Sequence, residues 1–190
     1  PHRTLRALMD IARSQPGKLS YGSGGIGTSA HLVGAGMLKL AGAEAVHVPY
    51  KSAAEIVQGV LGGQVDFGPP ILAVAHANVK AGRLRALAVS TPKRHPFFPD
   101  VPTIAETLPG NFELSTWFGV FVAAGTPQPI VDRLHAAIVT VQKMPEFDDA
   151  TRRDGSLVFI TESPAVAAQW VKKEYELYKT LVAQTGAKVE

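Results

Sequence analysis

The run Tyr21-Gly22-Ser23-Gly24-Gly25-Ile26-Gly27-Thr28-Ser29-Ala30-His31 concentrates the chemistry of this 190-residue chain. A strand-like stretch at 19–21 leads into small residues, and Thr28 or Ser29 opens an apolar helix. Such a junction aims free backbone N–H groups and the positive end of a helix dipole at one point, which makes it an anion site. Gly22, Gly24 and Gly27 also satisfy G-x-G-x-x-G, the pattern that receives a dinucleotide pyrophosphate.

The nucleotide reading needs an acidic residue at the end of the second strand to hold a ribose hydroxyl. That strand ends Val46-His47-Val48-Pro49-Tyr50-Lys51 without a carboxylate, and Glu44 precedes it. Lys51 could meet a 2′-phosphate, so an NADP-dependent oxidoreductase is the alternative reading. A Tyr-x-x-x-Lys pair would place Lys at 54, where Ala54 stands, and no Gly-Lys-Ser/Thr follows the loop as a P-loop requires. A purely structural, non-binding fragment is the third reading. Against it, four glycines with Ser23, Thr28 and Ser29 exceed what a tight turn needs. The surplus of small residues suits close approach of a ligand to backbone.

Other catalytic chemistry has little to stand on. His2, His31, His47, His76, His95 and His135 show no metal-ligand spacing, there is no G-x-S-x-G elbow, and cysteine is absent. The pair Asp148-Asp149 reads as a solvated helix face. The chain is therefore expected to be no enzyme, with neither cofactor nor metal.

Composition is that of a globular protein, with 46% apolar and 18% charged residues. Residues 1–100 carry 11 Lys and Arg against 5 Asp and Glu, a net of +6; residues 101–190 carry 8 against 11, a net of −3. The basic first half favours anionic ligands. Nucleic acid is not expected, because no dense basic run or interleaved aromatic platform is present. No apolar run approaches the roughly 20 residues that span a bilayer, so the protein is not expected to be membrane-embedded. No signal-peptide pattern opens the chain, and Pro1 marks a processed chain or a piece of a longer one.

Periodicity predicts helices at 5–15, 29–41, 53–61, 71–80, 104–107, 127–141, 145–153 and from a Ser163 cap to about 183. Strands are predicted at 19–21, 45–48, 64–67, 84–89 and 117–123. The alternation argues for βαβ units and a mostly parallel sheet, an α/β fold. The second part, rich in helices and poor in strands, lacks sheet for its helices to cover.

The blocks G-S-G-G-I-G-T-S-A-H-L, V-H-V-P-Y-K, L-G-G-Q-V-D-F and K-A-G-R-L-R-A-L-A-V-S, followed by P-D-V-P-T-I-A-E and S-T-W-F-G-V-F-V-A-A-G-T-P, together resemble the Bug family. These are TctC-like solute-binding proteins of tripartite tricarboxylate transporters. The resemblance implies a type II periplasmic binding fold that closes on a small carboxylate or dicarboxylate held mainly by backbone amides. It also implies a periplasmic location and delivery to membrane transporter subunits. By the same resemblance, Ser23, Gly24, Gly25, Gly27, Thr28, Ser29 and His31 form the binding loop. Lys51 and Ser52 belong to a second loop facing the ligand, Pro69 to a third, and Trp117 to a returning interdomain strand.

The chain departs from the family pattern at Ala35, where Glu is usual, and at Ser52 and Glu55, where Gly and Pro are common. Pro69-Pro70-Ile71 replaces an acidic or amide residue, which favours a simple or apolar-bodied carboxylate. Nothing corresponds to the family's first strand with its Pro-Gly-Gly-type loop. The resemblance thus implies one lobe nearly complete and the other partial. Residues 1–15 would end a first-lobe segment, 16–114 form the second lobe with the binding loop, and 115–190 supply the return strand and C-terminal helices of the first. Apolar faces left uncovered in this way would favour oligomers.

Overall fold

The computed structural model describes residues 2–158 and 162–185. Residues 1, 159–161 and 186–190, which the expected domains include, lie outside the described residues. The chain divides into two compact units, Pro1–Thr116 with Leu181–Glu190, and Trp117–Thr180.

The first unit is built around β1 (Ser20–Ser23), which pairs in parallel with β2 (Val46–Pro49) in the register Ser20↔Val46 to Ser23↔Pro49. On its other edge, the Gly22 N–H donates to the Phe67 carbonyl at 3.0 Å and the Asp66 N–H to the Ser20 carbonyl at 3.0 Å. β1 is therefore the middle of three parallel segments. Side chains alternate along a strand, so Tyr21 and Ser23 share one face and Gly22 faces the other. A Cβ added at Gly34 of α2 (Ser29–Ala41) would run into the Tyr21 ring, which places α2 on the Tyr21 face. A Cβ at Gly22 would meet Tyr50 at 3.0 Å and Ile56 at 3.2 Å, which places α3 (Ala53–Leu61) on the opposite face. The chain thus leaves β1 toward one face and crosses back over the other to reach Phe67. In parallel sheets such a reversal opens a crevice between the loops at the carboxyl ends of the strands.

Local sequence explains the elements. In α1 (Leu5–Ser14) Leu5, Leu8, Met9 and Ala12 are buried at the spacing of one helical face. Thr4, Thr28 and Ser52 cap α1, α2 and α3, each accepting a backbone N–H with its hydroxyl. Leu72–Lys80 forms α4, and Ile104–Thr107 forms α5, which opens on a capping box of Thr103 and Glu106.

Three expected strands are corrected. The stretch 64–67 contributes one bridge, Tyr21↔Phe67, and 84–89 one bridge, Val89↔Thr103, both parallel. The stretch 117–123 is irregular, and Phe118 is 85% exposed. A strand exists only through the ladder that pairs its backbone groups, and no described residue supplies that ladder here. Of the described residues in the second unit, α6 (Gln128–Gln142) and α7 (Pro145–Asp154) bury none. Trp117 packs edge-on against Trp170 of α8 (Pro164–Thr185) with ring centroids 4.8 Å apart.

Gly34→Ala should be among the most damaging small substitutions, since its methyl must displace a ring buried against the central strand. We expect a loss of about 1–3 kcal/mol in chemical denaturation. Unchanged stability would show that α2 does not pack on Tyr21 as described.

Candidate functional site

The loop from Ser23 to Ser29 occupies the carboxyl end of β1, beside the crevice. Ser23 is fully buried, and its hydroxyl is bonded on every side. Its Oγ lies 2.6 Å from His47 Nε2, accepts the Gly25 N–H at 3.1 Å and approaches the Gly25 carbonyl at 3.3 Å. The Thr28 hydroxyl donates to that same carbonyl at 2.7 Å and accepts the His31 N–H at 3.3 Å. Gly25 and Gly27 hold φ of 104° and 82°, a region in which side chains are strained. At Gly25 a Cβ would meet nothing within 4 Å, so the requirement there is conformational.

This network consumes some donors and leaves others. Thr28 takes the N–H groups of His31 and Leu32, and the Gly27 N–H reaches His31 Nδ1 at a long 3.4 Å. Among the described residues, the N–H groups of Ser29 and Ala30, the first two of α2, have no acceptor. α2 also carries no acidic residue in its first turn. Its positive end is therefore uncompensated by the described residues and faces the crevice side of the sheet.

Beneath the loop lies an aromatic stack that follows from register. Tyr21 pairs with His47 in the ladder, so their rings stack at 5.0 Å, and His31 from α2 lies 4.7 Å from His47. Burial pushes the His31 pKa down; burial and then the neighbouring His31 push His47 down. Burial also raises the Tyr21 phenol above its usual value.

Of the residues singled out from the sequence, Ser23, Gly24, Gly25, Gly27, Thr28, Ser29 and His31 come together in this loop. Lys51 and Ser52 lie on the next loop, tied to it by the Tyr50 N–H donating to the Ser23 carbonyl at 2.7 Å. Ser52 caps α3, and the Lys51 side chain is exposed. Pro69 follows the third parallel segment, where a Cβ at Gly68 would lie 2.5 Å from Ile56 Cγ2 and 3.3 Å from the Gly22 carbonyl. His47 stands in the V-H-V-P-Y-K block but was given no role from the sequence; its place on a short strand beside that of Tyr21 was the available signal. A cavity of about 480 Å³ lies elsewhere in the first unit, lined by residues including Arg3, Arg6, Asp100 and Glu106. None of the loop residues lines it.

The pattern of the tripartite tricarboxylate transporter family receptor (TctC) matches residues 1–186, and the chain belongs to this family. It is 39% identical over 184 residues to the UPF0065 protein in the tcbD-tcbE intergenic region of Pseudomonas sp. strain P51, covering 96% of this chain and 54% of that protein. Among solved structures, it matches R. palustris Rpa4515 with adipate at a TM-score of 0.89 and 29% identity, covering 98% of this chain and 62% of that one. The periplasmic binding protein BugD also matches at 0.89, with 28% identity, 100% of this chain and 64% of that one. The fold is thus the α/β periplasmic binding fold of TctC and Bug proteins. The chain spans about half the length of the first of these relatives and under two thirds of the two solved structures. No described helix is long and apolar enough to cross a membrane.

The two histidines make a pH prediction. Their folded pKa values lie below the ordinary value of about 6.5, so on acidification the unfolded chain takes up these protons first. Their contribution to stability is complete above that value and is lost as pH falls below it toward the depressed pKa values. Melting temperature should therefore drop between pH 7.5 and 5.5, and His47→Gln should flatten the drop. Parallel profiles for the two proteins would contradict the arrangement.

Proposed function

We propose that this protein is an extracytoplasmic solute-binding protein whose glycine loop captures a small carboxylate for delivery to a tripartite tricarboxylate-type transporter. The observation that carries this reading is the pair of unengaged N–H groups at Ser29 and Ala30, presented by a braced loop at a sheet reversal in a chain of the TctC family. A carboxylate offers two oxygens to such donors, and oriented backbone dipoles hold a single negative charge without a side-chain cation. The adipate in a structurally similar protein belongs to the same chemical class. Gly24, Gly25 and Gly27 let the ligand reach the backbone, His31 braces the loop from below, and Lys51, Ser52 and Pro69 border the crevice. Closure over the bound carboxylate would exclude water and strengthen these charge–dipole contacts.

This role involves recognition and release, with no bond made or broken in the solute. The NADP alternative finds no support at the loop after β2: the Glu55 carboxylate folds back onto the Lys51 N–H and sets a negative charge beside the place where a 2′-phosphate would have to sit.

Calorimetric titration of the chain with succinate, adipate, hexanoate and NADP tests the reading. Carboxylate binding with no NADP binding is expected. Gly25→Val and Gly27→Val should each weaken carboxylate binding at least about tenfold, because a β-branched residue cannot hold these φ values without strain. Circular dichroism should show both variants folded. NADP binding without carboxylate binding would overturn the proposal.

A further inference from the structure

Two helices open at neighbouring strand ends in the first unit, and they differ in one respect. α2 has no acid in its first turn, whereas α3 has Glu55. The Glu55 carboxylate turns back and accepts the Lys51 N–H at 3.1 Å, while its own N–H is held by the Ser52 hydroxyl at 3.2 Å. The second helix start therefore already carries an anion that belongs to the protein.

Resting on the carboxylate reading above, we infer that Glu55 is a specificity-determining residue that makes this site prefer a ligand with one carboxylate and an uncharged, apolar body over a dicarboxylate. One carboxylate satisfies Ser29 and Ala30 at α2. A second would have to use the start of α3 or the segment after Phe67. At α3, Ala53 and Ala54 have N–H groups, but the fixed charge of Glu55 lies within the same turn and offsets the helix dipole that would attract another anion. Lys51 borders the crevice, but among the described residues its exposed ammonium forms no ion pair that would neutralise Glu55. After Phe67 the chain continues Gly68-Pro69-Pro70, and two of these three residues have no N–H to donate. Their rings offer apolar surface. The crevice thus meets one helix start free of acid and one that carries its own negative charge, placed where a second anionic group would seek a partner.

α3 itself is anchored independently of Glu55, through Ile56 and Tyr50 against Gly22, so the residue can be changed without removing the helix from the sheet. Hexanoate and adipate have the same carbon count and differ only in the second carboxylate, which makes them suitable probes. On the 190-residue chain, hexanoate should bind about tenfold more tightly than adipate, the loss expected when a charged group finds no partner. Glu55→Gln keeps an acceptor but removes the charge and should shrink that ratio. Glu55→Ala vacates the Lys51 N–H as well and should bring the two ligands within about threefold of each other. Adipate binding as tightly as hexanoate to the unaltered chain, or a ratio that neither variant moves, would overturn the assignment of Glu55 while leaving the carboxylate reading intact. Binding of neither ligand would remove the carboxylate reading, and the selectivity with it.

Discussion

The Ser23 hydroxyl ties the end of the central strand to the loop that follows, and most of the candidate site depends on that junction. A fully buried hydroxyl must find its partners inside the protein, because an unpaired one costs about 1–3 kcal/mol. Here the partners are His47 from the neighbouring strand and both polar groups of the Gly25 peptide. The same oxygen therefore fixes strand register on one side and loop direction on the other. Once Gly25 is fixed, its carbonyl positions the Thr28 hydroxyl, and Thr28 starts α2 with the N–H groups of Ser29 and Ala30 left without an acceptor among the described residues. Register, loop and helix origin form one connected set of contacts.

This construction offers an anion backbone donors in place of a charged side chain. The two imidazoles beneath the loop are held toward their neutral forms by burial, and His47 further by the nearness of His31. What remains to attract an anion is backbone: the Ser29 and Ala30 N–H groups, which have no acceptor among the described residues, and the dipole of a helix whose first turn has no acid. Backbone donors recognise a carboxylate group and carry little information about the rest of a ligand. Discrimination then falls to the surrounding loops. In this chain they carry the features that depart from the common family pattern, Glu55 and the Pro69-Pro70 pair.

Much of the first unit was legible from residue types. Thr28 announces the start of α2, and the glycine loop announces a candidate anion site between a strand and a helix. The corrections share one physical cause. Residues 84–89 and 117–123 look like strands because they are largely apolar, and 64–67 because Val65 and Phe67 alternate with polar residues, but the length of a strand is set by the ladder beside it, which these patterns do not specify. The segment 117–123 shows this most plainly, being apolar, irregular and largely exposed. His47 escaped notice for a related reason. Its partners, Ser23 and Tyr21, are more than 20 residues away and meet it only through the parallel register. Glu55 was visible as an unusual residue, but its contact with the Lys51 N–H depends on how the first turn of α3 folds back.

The central claim is that a carboxylate is held by the backbone at the start of α2. Amide-resolved NMR on the uniformly 15N-labelled chain, titrated with hexanoate, addresses it directly. The account predicts that the largest shifts fall on the amides of Ser29 and Ala30, with smaller ones through Gly24–Gly27 and little change around Arg3 and Arg6. Saturable shifts centred on the Arg3–Arg6 cavity, with Ser29 and Ala30 unmoved, would contradict it.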